Sequence, residues 1–542
     1  MRGLINDCIR RVIALGIEGL GLVLTIAHRI RVDTFFWSQR RLKRKYGITS
    51  DTPVLTFGPE LEVLIDRAAA RAGRDAKFAW TSGSTAAPKR ILYTKDRLRK
   101  VKLAYVDFVA RCCWSLHVKR SSLYVFSSLS QDDSLTSMLL EEKSAPDYFS
   151  SLQAPYRVHC CPSMRSLVSE YGATAVRLWV LAIANPGILY STNPSTLSTF
   201  LDELATAWPK SSRLVRDWCR RPEAFDQRVH AIARRLDSRG SHTRLAAIAA
   251  SELPLSFEAF APAAKIYICW AGGYVKSFLD RLKTHLPPER YQLVPMYSMS
   301  TETLETVGNF TDDTVTFLPM APKVLYEFID EQAANHPPSL LTAAQLETGK
   351  IYSMVVSDAY GLRRYQTGDL FLCRGFVRGL PDLSFVSRRD LEYSFTGEKL
   401  TADNLMTVFQ KLRREYPQLS EDKFLTCVPS HPIGDPAPHY KIVMVNGHPA
   451  DAGIPVDEVA TRCNDLLGEI NCEYKSKFES GRLGATRFIL LPWEDFINRV
   501  SGARIKSWET QFKFLPLFRN TWESLSGASR AADQSYENPG PG

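Results

Sequence analysis

Cysteine is scarce in this chain, 11 among 542 residues. No Cys-x-x-Cys occurs, and the adjacent pairs Cys112-Cys113 and Cys160-Cys161 read as buried apolar thiols. A disulfide framework and a zinc knuckle are thereby excluded, and a reducing, cytoplasmic compartment fits this usage. A long apolar run is lacking too. The stretch Val12–Ala27 is 16 residues, short of the ~20 that a membrane-spanning helix needs. It also carries Glu18, with Arg10 and Arg11 before it and Arg29 and Arg31 after. Charge of one sign is modest: 68 basic against 58 acidic residues, net +10. That suits an anionic small ligand or an acidic membrane surface and gives no nucleic-acid signature. Gly-x-Ser-x-Gly is missing, which removes the hydrolase elbow, as is His-Glu-x-x-His. There is no internal repeat.

What is present is ordinary globular composition, 45% hydrophobic and 23% charged. At ~150 residues per domain this length holds two or three domains. Residues 1–48 read as an N-terminal helical segment that packs to open the fold. An interfacial helix is the alternative, because Phe35, Phe36 and Trp37 precede the basic run Arg40, Arg41, Lys43, Arg44, Lys45, and a weak membrane contact would follow from it.

Short β-branched and aromatic runs (Ser122–Ser127, Lys265–Cys269, Lys350–Val356, Leu383–Val386) then alternate with amphipathic stretches (Leu61–Ala72, Ala175–Ala184, Leu197–Trp208). Such order predicts an α/β fold. Beyond Ser387 a smaller α+β pattern appears: helix Asn404–Glu415, strands Phe424–Val428 and Tyr440–Val445, helix Val456–Cys472, strand Thr486–Leu490. The expected division is therefore a large domain at 49–387, a connector at 388–398, a small domain at 399–522 and a disordered tail at 523–542.

One local pattern carries chemistry: Trp80-Thr-Ser-Gly-Ser-Thr-Ala-Ala-Pro-Lys-Arg90. Small hydroxyl residues around a glycine let N–H groups and Oγ atoms converge on phosphate oxygens, and a following lysine adds a point charge. The spacing is not that of a Walker loop. Arg363-Arg364-Tyr365-Gln366-Thr367-Gly368-Asp369 ends in a carboxylate able to accept both hydroxyls of a ribose. Ser387-Arg388-Arg389-Asp390 follows, then Gly397. Tyr297-Ser-Met-Ser-Thr-Glu302 sets an aromatic side chain five residues before a carboxylate.

The first of these segments resembles the phosphate loop of the adenylate-forming superfamily, with Ala86 where glycine is commonest. The ordered set of further phrases is similar to the auxin-responsive acyl acid amido synthetase family. Those phrases include Tyr360-Gly-Leu362 leading into Arg363, Phe385–Arg389 with Gly397-Glu-Lys-Leu400, Ser191–Ser195, Pro438-His-Tyr440 and Gln511-Phe-Lys513. The resemblance runs from about Phe78 to Pro516.

It implies a large adenylating domain with β-sheets flanked by helices, a small mobile α+β C-terminal domain, and ATP-dependent joining of a carboxylic acid to an amine such as an amino acid. It implies ATP contacts at Thr81, Ser82, Gly83, Ser84, Thr85, Lys89, Tyr297, Thr301, Tyr365, Asp369, Arg388 and Lys399. Mg²⁺ falls to Glu302, a pivot to Asp390, and the cation reaching the α-phosphate to Lys513, with Lys506 close by. In the superfamily's usual pattern the glutamate lies four residues after the tyrosine, against five in this sequence. Two alternatives share these residues: a ligase making acyl-CoA or acyl-carrier thioesters, and a catalytically silent ATP- or membrane-binding homologue. His431, Asp435 and His439 read as solvated loop polars, and Trp114, Trp179 and Trp270 as core.

Overall fold

The N-terminal helix runs well past its apolar stretch. In the computed structural model the residues described are 2–80, 89–118, 123–126, 162–191, 194–271, 276–296, 300–311, 314–331, 339–389, 392–396, 398–419, 423–432, 437–445, 453–501, 515–518 and 520–525, with single positions at 135, 138 and 435. Helix α1 spans Arg2–Asp33 and α2 spans Phe35–Lys45. Helix α3 (Pro59–Ala72) starts on a proline, whose missing N–H is one the first turn leaves unpaired in any case. The antiparallel strands β1 (Lys77–Trp80) and β2 (Arg90–Tyr93) follow. Thr94 then caps α4 (Lys95–Ser115) by accepting the N–H of Arg97. At Gly21, α1 comes so near α4 that a side chain there would strike the Ala110 carbonyl.

Four short strands form a parallel sheet in sequential order: β3 (Leu123–Phe126), β4 (Ile188–Ser191), β5 (Ile266–Trp270) and β6 (Gln292–Met296). Because successive side chains point to opposite faces, a strand buried on both sides feeds two cores. Ile188, Tyr190, Ile266, Ile268 and Val294 enter one core, shared with the N-terminal helices and the later strands. Leu189, Tyr124, Tyr267 and Cys269 enter another, filled by the helices Ala173–Ala184 and Pro194–Thr206 around Trp179.

The hairpin β7 (Val307–Thr311) and β8 (Thr314–Leu318) comes next. An antiparallel sheet of β9 (Leu325–Asp330), β10 (Ile351–Ser357), β11 (Tyr365–Val377) and β12 (Leu380–Arg388) completes this part.

The described residues divide into two compact units, one running to Val386 and the other starting at Ser387. The second has short strands β13 (Glu392–Tyr393) and β14 (Leu400–Thr401), then β15 (Phe424–Ser430), β16 (His439–Val445) and β17 (Arg487–Leu491). β15 pairs antiparallel with β16, and β16 parallel with β17. The helix Ala402–Glu415 begins with a capping box between Thr401 and Asn404. Together with Val456–Ile470 it covers this sheet with Leu405, Phe409, Cys463 and Leu467.

Three readings are corrected. His439 is no solvated loop residue: it opens β16 at 2% exposure, its Nδ1 3.6 Å from Asp435, which Arg487 holds at 3.0 Å. Trp114 is only half-buried, beside the His117 ring, and Trp270 too is partly exposed where it lies against the first core. Trp179 is core as expected, and Cys112 and Cys113 are buried. Cys219 and Cys472 are the exposed thiols among the described residues. Residues 526–542 and Cys160-Cys161 lie outside the described residues.

Candidate functional site

Parallel sheets leave ligand-binding room beyond the carboxyl ends of their strands. Glu302 follows the end of β6, in a tight turn where Ser300 donates its N–H to the Thr303 carbonyl and Thr303 donates its own to Ser300 Oγ (3.1 and 3.2 Å). The Glu302 side chain is buried, at 2% exposure. Lys89, the residue after β1 and the segment 81–88, places Nζ 3.5 Å from Glu302 Oε1 and donates a hydrogen bond to the Tyr365 hydroxyl at 3.1 Å. Tyr365 in turn donates to Glu302 Oε1 at 3.4 Å. A lysine, a carboxylate and a phenol from three segments that are far apart in sequence thus meet at one point.

Asp369 lies four residues along β11 from Tyr365 and is buried. Between them the ladder with β10 slips: Ser353 faces Leu370, whereas Val355 faces Gln366. The extra residues are accommodated at Gly368, whose φ of 81° suits glycine. Thr367 Oγ1 accepts the Asp369 N–H at 3.2 Å and donates to the Met354 carbonyl, fixing the bulge. Upstream, Arg364 (φ 42°) forks onto Glu327 at 2.8 and 2.9 Å. Burial alone would raise the Glu327 carboxyl, but Arg364 and Lys43 outweigh it and hold it below the usual range.

Beneath the cluster is Arg97 of α4, which no sequence motif singled out. It is 5% exposed. Its guanidinium donates to the Leu92 carbonyl at 2.7 Å and to the carbonyl of Glu302, and pairs with Asp358 at 3.2 Å. Asp358 Oδ1 accepts the N–H groups of Tyr360 and Leu362 (2.7 and 3.1 Å), which shapes the turn entering Arg363. Burial raises the Asp358 carboxyl against the pull of Arg97. Tyr93 donates to the Thr301 carbonyl at 2.9 Å, and burial pushes its hydroxyl up to about 12. Arg97 and Asp358 therefore tie β2, the Glu302 turn and the start of β11 together. Only the resemblance phrase at Tyr360–Leu362 pointed near this pair.

Of the residues singled out from sequence, Lys89, Glu302 and Tyr365 are brought into contact, with Thr301 adjacent and Asp369 on the same strand. Arg388 ends β12. Lys399 belongs to the second unit, where it is exposed with φ 44°. Thr81, Ser82, Gly83, Ser84, Thr85, Tyr297, Asp390, Gly397, Lys506 and Lys513 lie outside the described residues. No group of three potential metal ligands occurs among the described residues.

Residues 317–388, which hold β9–β12 and hence Tyr365 and Asp369, match the GH3 family central domain. The chain is 28% identical over 181 residues to a jasmonoyl-L-amino acid synthetase of Nicotiana attenuata, a stretch covering 32% of this chain and 29% of that protein. It is 31% identical over 122 residues to a jasmonoyl-L-amino acid synthetase of Oryza sativa subsp. japonica, covering 22% and 20%. The aligned stretches thus span less than a third of these curated relatives' own length. The solved structure of the AtGH3.15 acyl acid amido synthetase in complex with 2,4-DB shares the fold at a TM-score of 0.64. That match has 16% identity and covers 88% of this chain and 86% of that one.

Proposed function

We propose that the chain is a GH3-type member of the adenylate-forming superfamily and, on that premise, an ATP-dependent ligase joining a carboxylic acid to an amine, an amino acid first among the candidates. The observation that carries this reading is the meeting of Lys89, Glu302 and Tyr365 beyond the carboxyl end of β6. The names of the relatives, jasmonoyl- and indole-3-acetic acid-amido synthetases, support the substrate class.

A carboxylate does not acylate an amine unaided, because oxide would have to leave. Attack by its oxygen on the α-phosphorus of ATP forms an acyl–O–P bond and expels pyrophosphate. The amine nitrogen then attacks the acyl carbon, the bond to the phosphate oxygen breaks, AMP leaves and the nitrogen gives up its proton.

Each residue has a task in that sequence. The hydroxyl and N–H groups of Thr81–Thr85, with Lys89, bind the phosphates and offset charge as it shifts between them. Asp369 accepts the ribose hydroxyls. Tyr297 and Thr301 line the adenine side. Mg²⁺, which takes one or two carboxylates beside phosphate oxygens and water, fits the single buried Glu302, and when bound it neutralises phosphate charge. Lys513 supplies the cation at the α-phosphate. Arg388 and Lys399 flank the connector about which the second unit turns between the two half-reactions, with Asp390 as pivot.

ATP–[³²P]pyrophosphate exchange over a panel of aryl, indolyl and fatty acids tests the first half-reaction. Mass spectrometry of products with amino acids, and separately with CoA, tests the second. Exchange with at least one acid and an amide product are expected. No exchange across the panel from folded, ATP-binding protein would overturn adenylation, and a thioester product would move the reading to a thiol ligase.

A further inference from the structure

A helix on a protein surface ordinarily turns charged residues outward. α1 does not. At 3.6 residues per turn, Gly19, Val23, Ile26 and Ile30 fall within about 60° of one another, opposite Gly21, His28 and Val32, which face the core. Val23, Ile26 and Ile30 are 60%, 54% and 57% exposed, and Trp37 on α2 is 58% exposed. Five of the ten large exposed apolar side chains among the described residues lie between Leu22 and Trp37. Scattered single residues of this kind need no explanation, but such a concentration does.

The charge beside the stripe has one sign. From Gly19 to Lys45 there are seven basic residues and one acidic, Asp33, and Asp33 pairs with Arg378 at 2.9 Å. Arg31 and Lys43 pair with Asp107 and Glu327. Arg29, Arg40, Arg41 and Arg44 remain exposed, with Arg41 lying 5.6 Å from the centre of the Trp37 ring. Aliphatic side chains, an exposed tryptophan and unneutralised arginines together match the boundary of an anionic bilayer, where rings sit at headgroup depth and each nearby basic residue adds attraction. No helix among the described residues is long and apolar enough to cross a membrane, so the geometry is that of a helix lying on the surface.

We propose that the outward face of α1 and α2 docks on an anionic lipid surface, with Val23, Ile26, Ile30 and Trp37 entering the headgroup boundary and Arg29, Arg40, Arg41 and Arg44 meeting lipid phosphates and carboxylates. The full chain is sedimented with vesicles of phosphatidylserine and phosphatidylcholine, and with phosphatidylcholine alone. Binding to the anionic vesicles is expected, weakened by salt. A V23S/I26S/I30S chain with an unchanged circular dichroism spectrum is expected to bind at least about tenfold less. R40Q/R41Q/R44Q should lose the salt-sensitive part of binding and should also show whether a stripe variant that misfolds has misled the comparison. Failure of the native chain to pellet with anionic vesicles, or equal pelleting of native and stripe-substituted chains, overturns the proposal. So does a stripe variant that leaves lipid binding intact and dissolves a dimer on a sizing column, because the face would then be a protein contact.

Discussion

Lys89 sits between a carboxylate and a phenol, and the three side chains should respond differently to substitution. Glu302→Gln keeps the shape and removes the charge facing Lys89 and any bound cation. Pyrophosphate exchange is expected to fall by about tenfold or more, and an unchanged rate in folded protein takes Glu302 out of the site. Tyr365→Phe removes only a hydroxyl and should cost less than the loss of Glu302's charge, read from the same exchange rate. Arg97 acts beneath these groups, through the Glu302 backbone and Asp358. Arg97→Met leaves Asp358 buried without its cation, which costs about 3–5 kcal/mol where such a pair is broken. Adding Asp358→Asn should restore part of that stability in thermal unfolding. Additive losses in the double variant would show that the two side chains are not coupled.

On α1, His28 turns its buried ring to the Asn309 side-chain oxygen Oδ1, 3.1 Å from Nε2. Burial first, then Arg111 and Arg31, lower its pKa to about 2. The unfolded chain takes up this proton near 6.5, so below that pH the unfolded state binds more protons than the folded one. Stability tied to His28 is therefore complete above about pH 6.5 and is lost as pH falls towards 2, at up to about 1.4 kcal/mol per pH unit. Melting temperatures of His28→Asn should decline less than those of the native chain between about pH 6.5 and 4.5. Parallel declines would assign the acid sensitivity to other groups.

Such a residue is illegible in the sequence, because a histidine in an apolar helix does not announce which face it occupies. The elements themselves were legible where periodicity is strong: Leu61–Ala72, Ala175–Ala184 and the helix at 404–415 lie within observed helices, and Lys350–Val356 overlaps β10 with a shift of one residue. Lys89, Glu302 and Tyr365, which meet in the structure, stood out in sequence because their motifs are local. Arg97 escaped because it stands in Lys95-Asp-Arg-Leu-Arg-Lys100, where only packing distinguishes the buried arginine from its solvated neighbours. The bulge at Gly368 escaped because a ladder slip depends on the partner strand.

For the molecule as a whole, no apolar core among the described residues is shared between the units: the first unit has two and the second has one. Calorimetry of the full chain should therefore resolve more than one unfolding transition. Phe409→Ala, at a position 1% exposed, removes about 3–5 kcal/mol of packing from the second unit. It should lower one transition and leave the other in place. A single transition that shifts as one would show the two units to be thermodynamically inseparable.

The distribution of thiols has a practical consequence. Six of the described cysteines are buried, while Cys219 lies in the first unit and Cys472 in the second. With Cys8, Cys160 and Cys161 replaced by serine, this pair offers native anchor points for a donor and an acceptor dye. Fluorescence transfer between them would then report, one molecule at a time and without a fused tag, how the separation of the units changes when nucleotide, acid and amine are added in turn.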